Sequence, residues 1–339
     1  MPQVKIPTIK LNDGRDIPAL GYGTWLGLND KNELEMVDLP KMVEAMAYAI
    51  DIGYRHIDTA HLYRVEPEVG EVINRKIREG VVKREDLFVT TKVWQHFHRE
   101  GDVEVSVKGS LRRLNLEYVD LLLMHWPMSI DQEGVDQKID YLETWRGFEK
   151  VLKMGLAKSI GVSNFNVEQL KRLLANCVVP PACNQVEINL NLGQEELVSF
   201  CRSNKVAIVA YSPFGTMIPS RSVPNSPEPK LNNPTLVAIA KKHGKTVTQI
   251  ALRYLYERGI ISLPKTVTKS RVLENGSIFD FALDKDDVEN IKQFDNGYRT
   301  VRPVFWESYM NYPFDKVNQT MGIPIALRKW KNGANLDID

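Results

Sequence analysis

Two hydrophobic rhythms take turns along the 339 residues of this chain. Short apolar runs of strand type occur at 17–23 (IPALGYG), 54–59 (YRHIDT), 87–93 (LFVTTKV), 119–125 (VDLLLMH), 157–163 (AKSIGVS), 183–188 (CNQVEI), 206–212 (VAIVAYS) and 260–265 (IISLPK). Between them, apolar residues recur at spacings of three and four, the period of an amphipathic helix. Such segments include 39–53, 68–80, 103–115, 142–155, 166–176, 194–204 and 234–244, and 284–295 follows the last strand. Several end in Gly or Asn, residues that favour a left-handed C-cap. Eight strand–helix alternations predict parallel pairing. The alternative is a doubly wound sheet. A closed (β/α)8 TIM barrel is the better expectation, because no linker or change of composition divides the chain. The whole of 1–339 then forms one domain.

Three segments stand outside the alternation. VKIPTIKL and DIPALGYG flank the Asp-Gly turn signal of NDGR, which predicts an N-terminal β-hairpin over 1–16. That hairpin could close one end of the core. The Pro- and Ser-rich stretch 217–234 reads as a long loop after the seventh strand, and 28–40 as a long loop after the first. The tail 297–339 has weak periodicity and several aromatics, so it should pack over the barrel as an irregular segment.

Composition narrows the function classes. The formal net charge of +1 argues against a nucleic-acid binder. The N-terminus lacks an apolar signal region, no run of about 18 apolar residues suggests a membrane span, and NLDID carries no lipidation signal. Cys177, Cys183 and Cys201 are odd in number and form no CxxC pair, which suits a reducing cytoplasmic setting. The sequons at Asn275 and Asn318 then read as chance matches.

In such a barrel, chemistry sits at the C-terminal ends of the strands. Asp58 ends the second strand and Tyr63 follows it; Lys92 ends the third and His125 the fourth. Ser163 and Asn164 end the fifth strand, Gln185 lies on the sixth, Tyr211 and Ser212 end the seventh, and Lys265 ends the eighth. A tyrosine releases its proton reluctantly at neutral pH, and a nearby ammonium favours the phenolate. A buried lysine needs a carboxylate such as Asp58, and a neutral histidine can orient a carbonyl. The set makes a proton donor and an oxyanion site without a reductant, so a cofactor is implied. Each residue also has a plainer reading. Asp58 and Lys92 could be a structural ion pair, His125 a core histidine, Tyr63 and Tyr211 packing, Gln185 a partner for backbone inside the barrel, and Ser163 and Asn164 helix caps. Their joint placement favours chemistry. Trp25, Trp94 and Trp126 follow strands one, three and four, with Phe97, Phe305, Trp306 and Tyr309 as further walls. These predict an apolar cleft for a hydrophobic carbonyl. His96 and His98 lack Cys or acidic neighbours at ligand spacing, so no metal site is expected.

Seven ordered motifs carry a resemblance over nearly the whole chain: GYRHIDTAHLY (53–63), VTTKVW (89–94), LLLMHWP (121–127), SIGVSNFN (159–166), NQVEIN (184–189), AYSPFG (210–215) and LPKTVTKSRVLEN (263–275). The sequence resembles the aldo-keto reductase superfamily, and is generally similar to its insect members, including those acting on 3-dehydroecdysteroids. The resemblance implies NADPH-dependent reduction of aldehydes and ketones by a monomer. It makes Tyr63 the general acid, Lys92 and Asp58 its activating pair, and His125 the residue that orients the substrate. It places Ser163, Asn164 and Gln185 at the nicotinamide carboxamide and stacks Tyr211 on the ring. Thr24 and Trp25 lie beside the cofactor, and Ser212, Phe214 and Gly215 hold the pyrophosphate. Lys265, Thr266 and Arg271 form the 2′-phosphate pocket, and Glu274 and Asn275 meet the adenosine end. Cations beside helix amides do suit a phosphate monoester, and no G-x-G-x-x-G fingerprint offers another dinucleotide site. The chain departs from the usual pattern at Val65, before Glu66, at Thr266, and at Thr268–Lys269. A cofactor-sensing regulatory subunit or a structural protein would share the same fold.

Overall fold

The computed structural model describes residues 2–29, 33–219 and 222–315. Strands β1 (Thr8–Lys10) and β2 (Asp16–Pro18) pair antiparallel as the expected hairpin. It runs two residues past the predicted boundary. The run 17–23 is therefore not one strand: its first half belongs to the hairpin and its second to β3 (Tyr22–Gly23). Leu20 and Gly21, between them, turn the chain into the barrel.

Seven further strands follow: β4 (His56–Asp58), β5 (Phe88–Val93), β6 (Val119–Met124), β7 (Ala157–Ser163), β8 (Cys183–Glu187), β9 (Ala207–Tyr211) and β10 (Ile261–Leu263). All eight strands from β3 to β10 lie parallel in sequential order. The ring closes where Leu20 bridges Ser262; Gly21 N–H donates to the Ser262 carbonyl (2.9 Å) and Ser262 N–H to that of Ala19 (3.1 Å). Glycine is required at this seam, because a Cβ on Gly21 would fall 2.6 Å from Leu263 and 2.8 Å from His56. The closed barrel, not the doubly wound sheet, is what the alternation encodes.

The helices are α1 (Leu39–Asp51), α2 (Glu66–Arg78), α3 (Glu100–Leu114), α4 (Tyr141–Lys153), α5 (Val167–Leu174), α6 (Glu195–Ser203), α7 (Pro234–His243), α8 (Val247–Glu257), α9 (Lys269–Gly276) and α10 (Lys285–Lys292). Local chemistry sets many of their ends. Asn166, Thr246 and Asp284 make reciprocal capping boxes, and Asn115 and Gly244 take left-handed C-cap conformations. Helix α1 begins at Leu39, where the helical period 39–53 starts, so the loop expected over 28–40 ends two residues sooner. No helix of the described residues is long and apolar enough to cross a membrane.

Two apolar clusters result. The larger joins the outer faces of the strands to the helices. The smaller fills the barrel interior at its N-terminal end, where Leu11 and Ile17 of the hairpin meet Phe88, Leu121, Leu123, Val209 and Ile261. Each such fully buried side chain contributes roughly 1.5–3 kcal/mol. The hairpin is the plug of that end, so the polar residues collect at the other. Beyond α10 the chain is irregular apart from a 3-10 turn at Val304–Trp306. The remainder of the tail from 316, including Asn318, lies outside the described residues, as do 30–32 and 220–221 of the two long loops.

Candidate active site

Strand register brings Asp58 and Lys92 together. Asp58 ends β4 opposite Thr90, and Lys92 follows two residues later on β5. The Lys92 ammonium is fully enclosed and meets three acceptors. It donates to Asp58 Oδ1 at 2.6 Å, to the Thr59 carbonyl at 2.9 Å and to the Tyr63 hydroxyl at 3.3 Å. These match the three protons it carries. Gln185 Nε2 donates to the other Asp58 oxygen at 2.8 Å. Thr24 places both its N–H and its hydroxyl on the Asp58 carbonyl (3.1 and 3.0 Å). Burial pushes the lysine pKa below its ordinary value, and the Asp58 carboxylate pulls against that shift. A buried charge persists only when paired in this way.

Tyr63 ends a 3-10 turn, His61–Tyr63, and Arg64 then adopts a left-handed conformation (φ 58°) that reverses the chain. The phenol ring lies between Trp25 (centroids 5.0 Å) and His125 (5.8 Å, edge-on). His125 follows β6 and packs edge-on against Trp94 at 5.2 Å. Burial, then the charge of Lys92 and the neighbouring His61, hold its pKa well below the ordinary histidine value. A neutral imidazole beside a phenol can orient a carbonyl oxygen without competing as an acid.

The ends of β7 to β9 form a polar shelf beside this group. Ser163 donates to the Gln185 carbonyl at 2.7 Å. Asn164, with φ 62°, donates to the His125 carbonyl at 2.9 Å and accepts from the Tyr211 hydroxyl at 2.7 Å. Ser212 (φ 48°) and Gly215 (φ 47°) bend the chain away from β9, with Phe214 half-buried between them. A Cβ at Gly215 would fall 2.6 Å from Asn189. Beyond β10, Thr266 receives the Tyr22 hydroxyl on its carbonyl (2.6 Å) and the Thr268 N–H on its own hydroxyl (3.2 Å). The first amides of a helix have no intrahelical acceptor, and at α9 the Thr268 side chain does not cap them. Arg271 is exposed in that first turn, and Lys265 is half-buried just before it. Glu274 accepts from Thr246 (2.9 Å) and Thr248 (2.6 Å), and Asn275 is buried.

Aromatic side chains wall the opening. Trp94 and Trp126 pack on Trp306 at 6.0 and 5.8 Å, and Trp126 packs on Phe314 at 5.9 Å. Tyr309 donates to the Gly134 carbonyl at 2.6 Å, which ties the segment around Tyr309 to the loop after β6. His96 and His98, read from sequence as loop residues, are in a buried turn. Among the described residues no group of His, Cys, Asp or Glu could hold a metal ion.

A profile of the Aldo/keto reductase family matches residues 19–296. The chain belongs to the aldo/keto reductase family. As a member it is an NADP-dependent oxidoreductase that reduces aldehydes and ketones with NADPH. This reductase is 44% identical over 310 residues to aldo-keto reductase AKR2E4 of Bombyx mori, covering 91% of this chain and 99% of that one. It is 40% identical to estradiol 17 beta-dehydrogenase 5 of Mus musculus, covering 91% and 98%. Its fold matches a crystal structure of aldo-keto reductase AKR2E5 complexed with NADPH at 68% identity and a TM-score of 0.95, over 98% of this chain and 100% of that one. AKR2E4 of Bombyx mori in complex with NADP matches at 43% identity and a TM-score of 0.87, over 92% and 100%.

The structure brings Asp58, Tyr63, Lys92, His125, Ser163, Asn164, Gln185 and Tyr211 into one connected group. Lys265, Thr266 and Arg271 lie apart, along the approach to α9. Two contacts escaped the sequence reading: Gln185 donates to Asp58, and Thr24 pins the same residue. The first joins β4 to β8, which are not neighbours in the sheet, so only closure of the barrel reveals it. Nothing in the pattern around Thr24 announces the second.

Proposed function

We propose that Tyr63 hands a proton to the carbonyl oxygen of the substrate while NADPH, when bound, supplies hydride to the carbonyl carbon. The supporting observation is the contact of the Lys92 ammonium with both the Asp58 carboxylate and the Tyr63 hydroxyl. As the phenol gives up its proton, negative charge grows on its oxygen beside a fixed cation. That arrangement stabilises the transition state without reorganisation. Asp58 keeps Lys92 charged in an enclosed site, and neutral His125 orients the substrate oxygen.

The shelf fits a nicotinamide cofactor. The Tyr211 ring, fixed through its hydroxyl by Asn164, offers a flat face, and Ser163, Asn164 and Gln185 supply the polar edge for a carboxamide. The concave backbone at Ser212, Phe214 and Gly215 suits a pyrophosphate, with Thr24 and Trp25 on the opposite side. The uncapped N-terminus of α9, with Lys265, Thr266 and Arg271, suits a 2′-phosphate; Glu274 and Asn275 lie toward the adenosine. In this reading Glu274 leaves its threonine partners only in part, or serves by fixing α8 against α9.

The substrate is a bulky apolar carbonyl compound held by Trp25, Tyr63, Trp94, His125 and Trp126. The names of the mouse estradiol dehydrogenase and of a rabbit relative, prostaglandin-E(2) 9-reductase (41% identical), point the same way. The reductase acts as a cytoplasmic monomer of one barrel domain and takes no nucleic acid. The test is Tyr63→Phe. The variant should still quench its tryptophan fluorescence with NADPH and should lose carbonyl-dependent NADPH oxidation. Near-full turnover would overturn the assignment. A screen of steroid ketones against short aldehydes tests the substrate class; preference for short polar aldehydes would sink it.

A further inference from the structure

Behind Tyr63, on the side away from the cleft, a buried carboxylate and a guanidinium hold both flanks of the turn. Glu66 opens α2 three residues after Tyr63, and its side chain is 2% exposed. Its Oε1 accepts from the Thr91 hydroxyl at 2.6 Å, next to Lys92 on β5. Its Oε2 receives Arg113 Nε at 2.8 Å and the terminal nitrogen at 2.7 Å. The same terminal nitrogen of Arg113 reaches His61 Nδ1 at 2.6 Å and Ser110 Oγ at 3.1 Å. Arginine has no acceptor, so His61 Nδ1 must accept, which places its proton on Nε2 and keeps the ring neutral.

The surroundings are shaped to let this happen. A Cβ on Gly70 would fall 2.3 Å from the Leu114 carbonyl oxygen, so only glycine lets α2 approach the end of α3 this closely. Asn74 secures the junction with a hydrogen bond to the same carbonyl at 3.3 Å. Gly109, one turn before Arg113, leaves room for the guanidinium, 3.1 Å from where its Cβ would be. One ion pair thereby connects His61, two residues before Tyr63, the helix after it, and the strand that carries Lys92.

We propose that Glu66 and Arg113 are positioning residues that fix the Tyr63 hydroxyl at its distance from Lys92. The inference rests on Tyr63 being the proton donor. A displacement of about 1 Å at a reacting group can cost on the order of a hundredfold in rate, so a clamp on the turn controls turnover without touching substrate. It also carries charge. Asp58 contacts Lys92 and His125 packs against Tyr63, whereas Cys183 and Glu66 act on Lys92 through charge alone, and Arg113 pairs with Glu66.

The test uses the full chain with NADPH and three variants. Glu66→Gln should lower kcat by roughly tenfold or more, with the NADPH Kd and the carbonyl KM nearly unchanged. It should also move the alkaline limb of the kcat profile to lower pH, because a negative charge that helps retain the protons of the pair is gone. Arg113→Met bares the carboxylate and should move that limb to higher pH. Should that variant not fold, Arg113→Lys keeps the charge but loses the fork, and should lower kcat while leaving the limb in place. A role limited to stapling α2 to α3 predicts lower melting temperatures with wild-type kcat and an unshifted limb in every folded variant, and that result overturns the proposal. Tyr63→Phe run in parallel separates the two levels. If it stays active, the assigned acid is wrong; if it is inactive while Glu66→Gln is indifferent, only the clamp is wrong.

Discussion

The two mouths of the barrel are built by opposite means from the same eight strands. At the N-terminal mouth, Leu11 and Ile17 of the hairpin press on Leu121, Val209 and Ile261, and the filling is apolar. At the C-terminal mouth, the enclosed groups are an ammonium, a carboxylate, an amide and neutral imidazoles. Left-handed residues cluster there as well, at Arg64, Asn164 and Ser212. One end converts burial into stability. The other accepts the cost of burying polar groups to hold a phenol beside a cation. In this reductase the division follows the barrel rule that strand C-termini carry chemistry and N-termini carry stability.

Acid should widen the contrast most. Burial pushes the pKa of His56 and of His96 down to about 4 and that of His98 to about 3, and holds His61 and His125 well below the ordinary value. The unfolded chain takes up these protons near pH ~6.5 and the folded one does not. Their contribution is therefore full above that pH and is lost as pH falls toward 4, at about 1.4 kcal/mol per pH unit for each histidine. Denaturant midpoints measured between pH 7.5 and 5 should drop steeply, and hydrogen exchange should open the C-terminal mouth first, where all but His56 lie. A flat profile would mean that these rings are charged in the folded state.

Next in size is the loss of the proposed proton donor. Tyr63→Phe should reduce kcat by about 10²–10⁴-fold, the usual range for a general acid, with little change in melting temperature. Ile17→Ala should do the reverse: a stability loss of about 2–5 kcal/mol from the cavity it leaves, with kcat per folded molecule unchanged. Urea unfolding and active-site titration of the same samples would show whether the two mouths are separable. An effect of similar size concerns cofactor choice. Lys265→Ala with Arg271→Ala should weaken NADPH by about 1.5–3 kcal/mol for each charged hydrogen bond removed and leave NADH nearly untouched. Equal loss for both would place the 2′-phosphate elsewhere.

Much of this was legible in the chain. The alternation of periods gave the barrel, and the strand ends gave Asp58, Lys92, His125, Ser163, Asn164 and Tyr211. What stayed hidden depends on groups far apart in sequence that meet only after closure. The run 17–23 reads as one strand because its apolar content is continuous; the switch from hairpin to barrel lies in backbone direction, which hydropathy does not record. Gln185 could be seen on its strand but not which way its amide would turn. His98 sits in QHFHR, a polar-looking stretch, yet is fully buried, because the turn at Gln95–Phe97 folds under α4, where Thr144 donates to the His98 carbonyl at 2.7 Å. Nothing in the sequence singles out Arg113, and only the close approach of α2 shows its use.

The seam between Leu20 and Ser262 has a consequence for biosynthesis. The first barrel strand is among the earliest parts to leave the ribosome, but its second neighbour does not exist until some 240 residues later in the chain. Until then the nascent sheet has two open edges, and long-range pairing of this kind is slow and exposed to aggregation. A transcript cut anywhere between His125 and β10 would thus yield a chain that carries all four proposed catalytic side chains and has no ring in which to hold them.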